Sequence, residues 1–245
     1  MSDSSQLNLR GVLQAGGKGT RLYPATEDIP KPLLQVGGVP MLERLLRQFL
    51  ATGIRDITII TGWLADKIEA HISSLRDLPS DLSLRYIREP RQLGNIGALS
   101  LLPQKPNPIL FAFGDLITDL DFSRLIALHL ATGGEITLAS HYEQHRLTLG
   151  ELSVKGDLVV DYKEKPTKEF LICSGIAVFQ PSVPSLIDDS RPTGISDLIL
   201  SAIARSMKVT HWTHGAFWMD INTPELKEAA EREVSLRGAQ MEISR

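Results

Sequence analysis

Over the first half of the chain, short apolar runs alternate with segments of helical period, and few folds admit that alternation. RGVLQA (10–15), DITIIT (56–61), LSLRYI (82–87) and NPILFAF (107–113) read as strands, each followed by glycine, proline or a charged residue. Between them, PMLERLLRQFLATG (40–53) sets Met41, Leu42, Leu45, Leu46, Phe49 and Leu50 at helical spacing, with Pro40 suited to a first turn and Gly53 to a stop. WLADKIEAHISSL (63–75) and DFSRLIALHLATGG (121–134) read as helices, the second capped by Asp121, and NIGALSLL (95–102) as a short one. Strand–helix repetition requires crossover connections, which make the strands parallel and put helices on both faces of the sheet.

The second half is different. EITLASHY (135–142), LGELSVKGDLVVDYKEKP (149–166) and LICSGIAVFQP (171–181) read as strands, the middle one a hairpin turning at Gly156-Asp157. A helix from about Ser196, a strand KVTHWT (208–213) and a charged last helix PELKEAAEREVSLRG (224–238), read as a solvated cap, complete the pattern. The expected fold is α/β: a Rossmann-like doubly wound mixed sheet with a β-rich lobe inserted in the second half. No linker rich in Gly, Ser or Pro divides it, so residues 1–245 are expected to form a single domain, in two parts at about 10–140 and 141–235.

Bulk properties narrow the partners. The chain of 245 residues is 42% hydrophobic, enough for a sizeable core, and its net charge of −3 leaves no broad basic field for nucleic acid. The single cysteine, Cys173, excludes an internal disulfide and fits a reducing compartment. The start, MSDSSQLNLR, has no apolar signal core, and no apolar run approaches the ~20 residues of a membrane helix. A cytoplasmic protein without a membrane partner is expected.

In open α/β sheets ligands sit beyond the carboxyl ends of the strands. Three such ends carry unusual chemistry: after Leu13, after Tyr86-Ile87, and at Gly114-Asp115. The first opens into LQAGGKGTRLYPATEDIPKPLL (13–34), where glycines adjoin Lys18, Arg21 and Lys31. A dinucleotide fingerprint fails, because Leu22 stands where its third glycine belongs; a Walker loop fails, because Gly19 and not a hydroxyl residue follows Lys18. A third reading remains: exposed amides form an anion-binding concavity around a nucleoside triphosphate, and Arg21 adds a fork matched to phosphate oxygens. The rival is a glycine-rich surface turn, which leaves the regular cations unexplained.

Ala15-Gly16-Gly17-Lys18-Gly19-Thr20-Arg21-Leu22-Tyr23-Pro24-Ala25-Thr26 followed by Pro30-Lys31-Pro32-Leu33 resembles the hallmark of the sugar-1-phosphate nucleotidylyltransferases, also called nucleotide-sugar pyrophosphorylases. The resemblance continues through QVGGVPMLERLL, FAFGD, EKP, SGIAVF and FWMDINTPE, over about residues 10–235, and is to the short form without a C-terminal β-helix. It implies transfer of a nucleotidyl group from an NTP to a sugar-1-phosphate by Mg²⁺-assisted in-line attack, in a monomer or homodimer. It further implies catalytic roles for Arg21, Lys31, Asp115 and Lys165, and metal ligation by Asp115 and Asp220. Nucleotide contacts fall to Gln14, Ala15, Gly16, Gly17, Gly19, Thr20, Arg21, Glu89, Gly94 and Asn95. Sugar-phosphate contacts fall to Gly150, Glu164, Lys165 and Gly175. Asp119 and Asp121 lie outside the motif and read as turn and cap residues; Asn222 or Thr223 is an alternative cap for the last helix. Cys173 reads as core, and His211, Trp212 and His214 make a poor zinc site.

Gln14 departs from the pattern, which has Leu or Ile there. Its amide either hydrogen-bonds a base edge or is a satisfied polar group at a strand end. Glu89 stands five before Gly94, where thymidylyl members carry Gln. A carboxylate only accepts hydrogen bonds, and guanine offers two donors on one edge, so Glu89 favours GTP. EPRQLGNIGAL is similar to the loop of mannose- and heptose-1-phosphate guanylyltransferases with two residues inserted, whereas FAFGDLITDLDF and GAFWMDINT are similar to glucose-1-phosphate cytidylyltransferases. Cytidylyl, uridylyl or thymidylyl transfer, a cyclitol or other small phosphate as acceptor, and an inactive nucleotide-sugar sensor are the alternatives. The sensor would be marked by loss of Arg21, Lys31, Asp115 or Lys165, and all four are present.

Overall fold

The computed structural model describes residues 9–238, so residues 1–8 and 239–245 lie outside the described residues. In chain order the elements are β1 (Arg10–Ala15), β2 (Gln35–Val36), β3 (Val39–Pro40), α1 (Met41–Ala51), β4 (Asp56–Thr61), α2 (Ala65–Ser74), β5 (Ser83–Arg88), β6 (Ile109–Phe113) and β7 (Leu116–Thr118). Then follow α3 (Phe122–Thr132), β8 (Ile136–Arg146), β9 (Glu151–Lys155), β10 (Leu158–Lys163), β11 (Thr167–Phe179), α4 (Ile195–Ala204), β12 (Val209–Thr213), β13 (Trp218–Asp220) and α5 (Pro224–Arg237). The short helix expected at 95–102 is a 3₁₀ turn, Gly97–Leu101.

Seven strands form the central sheet in the order β12-β8-β11-β6-β1-β4-β5. β1 runs parallel to β4 and β6, β4 to β5, and β12 to β8, while β11 is antiparallel to both β6 and β8. The sheet is therefore mixed, as expected, but the β-rich segment is not separate from it. The inner halves of β8 and β11 lie inside the central sheet, buried at Ile136, Ala139 and Ile176–Phe179, and their outer halves run out into solvent. The β9–β10 hairpin is a two-stranded sheet of its own.

Alternation along the strands explains the layering. Leu13, Ala15, Ile57, Ile59, Leu110 and Ala112 point to one core, where they meet α1, α2 and α3. Val12, Ile60, Ile109 and Phe111 point the other way, toward Leu198 and Ala202 of α4. Each Leu, Ile, Val or Phe among them contributes about 1.5–3 kcal/mol on full burial, and Phe49 and Phe122 lock α1 to α3 edge to face at 5.2 Å. A third cluster joins Leu22 and Met41 to Ile117, Ile221 and Ala230. It seats α5 and β13 beside β7, so Asp220 pairs with Leu116, next to Asp115. Because β1, β4, β5 and β6 run the same way, Gln14, Glu89 and Asp115 all emerge at one edge. No helix among the described residues is long and apolar enough to cross a membrane.

Candidate active site

The glycine loop after β1 is folded onto Lys31. Gly19 adopts φ +64°, and a Cβ there would come within 2.8 Å of the Lys31 Cβ. Only glycine tolerates both the conformation and the approach. Thr26 Oγ1 donates to the Gly19 carbonyl at 2.8 Å and pins the loop, while buried Leu22 anchors the 3₁₀ turn Thr20–Leu22. Arg21, between them, is exposed and enters no ion pair among the described residues. Gly16 and Gly17 precede the turn; the Gly16 carbonyl accepts from the Trp63 amide at 3.1 Å, and Lys18 lies over the Trp63 ring at 5.2 Å.

Lys31 is 7% exposed. It sits in a 3₁₀ turn between Pro30 and Pro32, which fix the backbone there. Its ammonium donates to Asp115 Oδ2 at 2.6 Å, Asn222 Oδ1 at 2.8 Å and Asp220 Oδ1 at 3.4 Å. Three donors meet three acceptors, which a buried ammonium requires. Burial, then the charge of Asp115, pushes the Asp220 carboxyl above the usual carboxylate range, against the pull of Lys31. A raised carboxyl beside a second carboxylate marks a place that favours added positive charge. Their hard oxygen donors, with Asn222 Oδ1, fit Mg²⁺, which takes few protein ligands and fills its shell from water and phosphates. Among the described residues no group of three or more His, Cys, Asp or Glu could hold a metal.

Sequence reasoning missed Asn222. It places its carbonyl on Lys31 and its amide on Asp220, and the cap of α5 is Thr223, whose Oγ1 accepts from the Leu226 amide. The Asp-x-Asn spacing at the end of a strand was the available signal. Asp121 caps α3 through the Ser123 amide as expected. Asp119 does more than turn the chain, because it accepts from the Phe217 amide at 2.7 Å and pairs with Arg237.

The second group at this edge is Gln14 with Glu89. Gln14 is 8% exposed, and its Nε2 donates to Glu89 Oε1 at 2.7 Å. Reversing the amide would set oxygen against oxygen, so its Oε1 is an acceptor, buried and without a hydrogen-bond partner. Gly16 makes room for the pair, since a Cβ there would meet Glu89 Oε1 at 2.7 Å. Burial raises the Glu89 carboxyl above its ordinary value, opposed by hydrogen bonds from Gln14 and the Leu93 backbone. A raised carboxyl binds its proton more tightly when folded, so its ionisation destabilises the fold as pH rises past the ordinary carboxylate value. Glu89→Gln is therefore expected to melt above wild type at pH ~8, with the gain closing toward pH ~4. Thermal melts at both pH values check this; a lower melting temperature at pH ~8 would contradict it.

Other expected contacts are only partly gathered here. Gly94 does approach closely at φ +87°, but toward the Thr193 backbone, 2.4 Å from a would-be Cβ. Asn95 turns its Oδ1 to the Ile195 amide at 2.9 Å, at the start of α4, which commits that oxygen away from Gln14 and Glu89. Ala15 is buried in the core, and Thr20 is exposed beside Arg21. Gly175 lies against Phe113, two residues before Asp115, and Gly150 against the Tyr162 hydroxyl. Glu164 accepts from that hydroxyl at 2.6 Å, and Lys165 is exposed at φ +45°. No contact among the described residues joins Glu164 or Lys165 to the Lys31 cluster. Cys173 is exposed, contrary to the core reading. The β8–β11 register shifts between Cys173 and Ala177, just where β11 leaves the core.

Comparison with known proteins gives a consistent picture. A mannose-1-phosphate guanylyltransferase catalytic subunit beta of Drosophila pseudoobscura pseudoobscura is 30% identical over 224 residues, covering 88% of this chain and 60% of that protein. The chain thus spans about three fifths of the length of such relatives. A glucose-1-phosphate cytidylyltransferase of Salmonella typhimurium strain LT2 is 25% identical over 238 residues, covering 88% and 91%. In fold, the chain matches a Bacillus anthracis protein assigned as a glucose-1-phosphate thymidylyltransferase, with TM-score 0.76 at 23% identity, over 95% of this chain and 98% of that one. Residues 10–234 match the family described as nucleotidyl transferase. With the glycine loop laid on Lys31 and two aspartates facing it at the carboxyl edge of the sheet, the chain belongs to the nucleotidyl transferase family.

Proposed function

We propose that the chain transfers a nucleotidyl group from an NTP, GTP favoured, to a sugar-1-phosphate. An oxygen of the sugar phosphate attacks the α-phosphorus in line, the bond to the β-phosphate oxygen breaks, and pyrophosphate leaves. The observation that carries this reading is the buried Lys31 shared by Asp115, Asp220 and Asn222 beneath the glycine loop. The reaction brings two anions together, so catalysis is positioning and charge neutralisation. The backbone amides of Gly16, Gly17 and Gly19 cradle the triphosphate, and exposed Arg21 offers its fork to the oxygens that gain charge as pyrophosphate departs. Lys31 orients both aspartates, which would hold Mg²⁺. When bound, that ion supplies positive charge between the two phosphate groups.

Names of the relatives span guanine, cytosine and thymine, so the base is argued from Gln14 and Glu89. Beyond its hydrogen bonds from Gln14 and the Leu93 backbone the Glu89 carboxylate keeps acceptor capacity, and Gln14 Oε1, buried in this conformation, has no partner of its own. Two adjacent acceptors match guanine N1–H and N2–H; cytosine brings one amine and uracil or thymine one imide N–H. A polar site left unpaired discriminates strongly against the wrong partner. The outer halves of β8 and β11, with the β9–β10 hairpin, take the sugar phosphate through Lys165 and Glu164, with Gly150 and Gly175 lying along it.

Five NTPs with magnesium and a library of phosphorylated sugars and polyols, read by pyrophosphate release and mass spectrometry, test the assignment. GTP with a sugar-1-phosphate is expected to turn over fastest, and Glu89→Gln to lower GTP use by about 10–100-fold, the worth of one bidentate contact, with smaller changes for other NTPs. Activity with CTP alone overturns the guanine reading. No pyrophosphate from any pair overturns the reaction.

A further inference from the structure

Glu89 stands one residue past the end of β5, and β5 is an edge strand of the central sheet. Its amide is tied to the Thr61 carbonyl of β4 at 2.8 Å, but no strand holds it from the other side. What lies there is the irregular segment 89–96, and a turn remote in sequence is fastened to it. The Thr193 amide donates to the Leu93 carbonyl at 2.7 Å, and the Ile96 amide to the Thr193 carbonyl at 3.3 Å. The Ile195 amide donates to Asn95 Oδ1 at 2.9 Å, and Arg91 donates to the Asp189 carbonyl. Gly94 lets the two backbones close, since a Cβ there would strike the Thr193 carbonyl oxygen. The turn is itself fixed: Thr193 is 3% exposed, and its hydroxyl donates to the Asp188 carbonyl at 3.0 Å. Leu93 and Ile96 bury their side chains in one cluster with Leu198 and Ala202 of α4. Leu93 is thus clasped from both sides: its carbonyl accepts from Thr193, and its backbone amide donates to the Glu89 carboxylate.

We propose that the 188–195 turn governs nucleobase choice by holding Leu93 against Glu89, with Asn95 a positioning residue that acts through that carboxylate and not on the nucleotide. This rests on the reading of Gln14 and Glu89 as the base-reading pair. A carboxylate discriminates between bases only while its free lone pairs keep one direction, and that takes restraints on the carboxylate itself. Gln14 restrains it from β1, inside the sheet, and the Leu93 amide restrains it from outside. The outer restraint is only as firm as the segment that carries it, and that segment is fastened to the turn. Two of the three bonds between 93–96 and 193–195 are backbone to backbone; Asn95 makes the one that a substitution removes. Asn95 is exposed, so its replacement leaves the core intact.

Affinities for GTP and UTP, measured by titration calorimetry with Mg²⁺ and no acceptor, test this without turnover. Asn95→Ala is expected to lower the ratio of GTP to UTP affinity by about 3–10-fold, the scale of one hydrogen bond. Asn95→Asp keeps an acceptor for the Ile195 amide and is expected to retain the wild-type ratio. Adding Asn95→Ala to Glu89→Gln is expected to change the ratio no further, because a residue that acts through another is not additive with it. The proposal is overturned by a wild-type ratio in Asn95→Ala, by an Asn95→Asp ratio as low as that of Asn95→Ala, or by additive losses in the double variant. A wild type without GTP preference, or a Glu89→Gln variant with the wild-type ratio, overturns the base reading and the proposal with it. A Glu89→Gln variant with a lowered ratio beside an unaffected Asn95→Ala overturns the proposal alone.

Discussion

Asp115→Asn is expected to cut turnover at least ~100-fold, the scale on which removing one preorganised charge-stabilising group acts, while the protein stays folded. The substitution keeps the size of the side chain and leaves an oxygen for Lys31, so the turn at Gly114-Asp115 has no steric reason to move. What it removes is one of two negative charges held 2.6 and 3.4 Å from the same ammonium. In the proposed reaction those charges hold the divalent ion that lets two phosphates approach. The loss should therefore appear mainly in kcat, with the apparent affinity for NTP changing less, because the glycine loop and Arg21 are untouched. Asp115 is 28% exposed at its side chain, so the stability change should remain near ~1 kcal/mol. Steady-state kinetics with a parallel melt decide it. Wild-type turnover in a folded variant would remove Asp115 from the reaction.

Much of the fold is legible in local pattern, and the limits of that legibility have physical causes. Helical spacing from Met41 to Leu50 and the β-branched run at 56–61 report burial, which is encoded residue by residue. Asp121 and Gly133 announce the ends of α3 because caps are local chemistry. The insertion of β11 between β6 and β8 is not local; it depends on pairing β11 with β6, more than sixty residues earlier, as well as with β8, and no period within β11 records its neighbours. Cys173 shows the consequence: its apolar surroundings in sequence belong to a strand that is buried at one end only. At the site, Lys31, Asp115 and Asp220 are legible as chemistry in a motif. Asn222 is not, because an Asn before a helix reads first as a cap, and only the β13–β7 register turns it toward Lys31. Gly94 and Asn95 show a similar limit: their residue types fit a base-reading loop, and the sequence does not record the remote 193–195 turn that lies against Gly94 and engages the Asn95 Oδ1.

Lys31→Met is expected to show that this lysine acts as an internal counter-ion. Methionine fills most of the same volume, so the main change is loss of an ammonium that three oxygens share. Breaking a buried ion pair from one side costs ~3–5 kcal/mol. The carboxylates here are 28% and 36% exposed, so the lower end applies, which for a chain of this size lowers the melting temperature by roughly 6–12 °C. Two conditions should restore it. Lowering the pH favours the protonated form of Asp220, whose carboxyl is already raised by burial and then by Asp115 and rises further once Lys31 is gone. A proton bound more tightly in the folded state stabilises that state as pH falls, so the deficit against wild type must shrink in that direction. Adding Mg²⁺ supplies the missing charge directly, and the variant should gain more in melting temperature than wild type, where Lys31 competes for the same oxygens. Thermal melts across Mg²⁺ concentration measure both gains without any need for turnover. Equal Mg²⁺-induced shifts in the two proteins would mean that the ion, if it binds, does so away from Asp115 and Asp220. Turnover should be lost in the variant even where stability is recovered, because an ion replaces the charge of Lys31 but not its fixed position under the glycine loop.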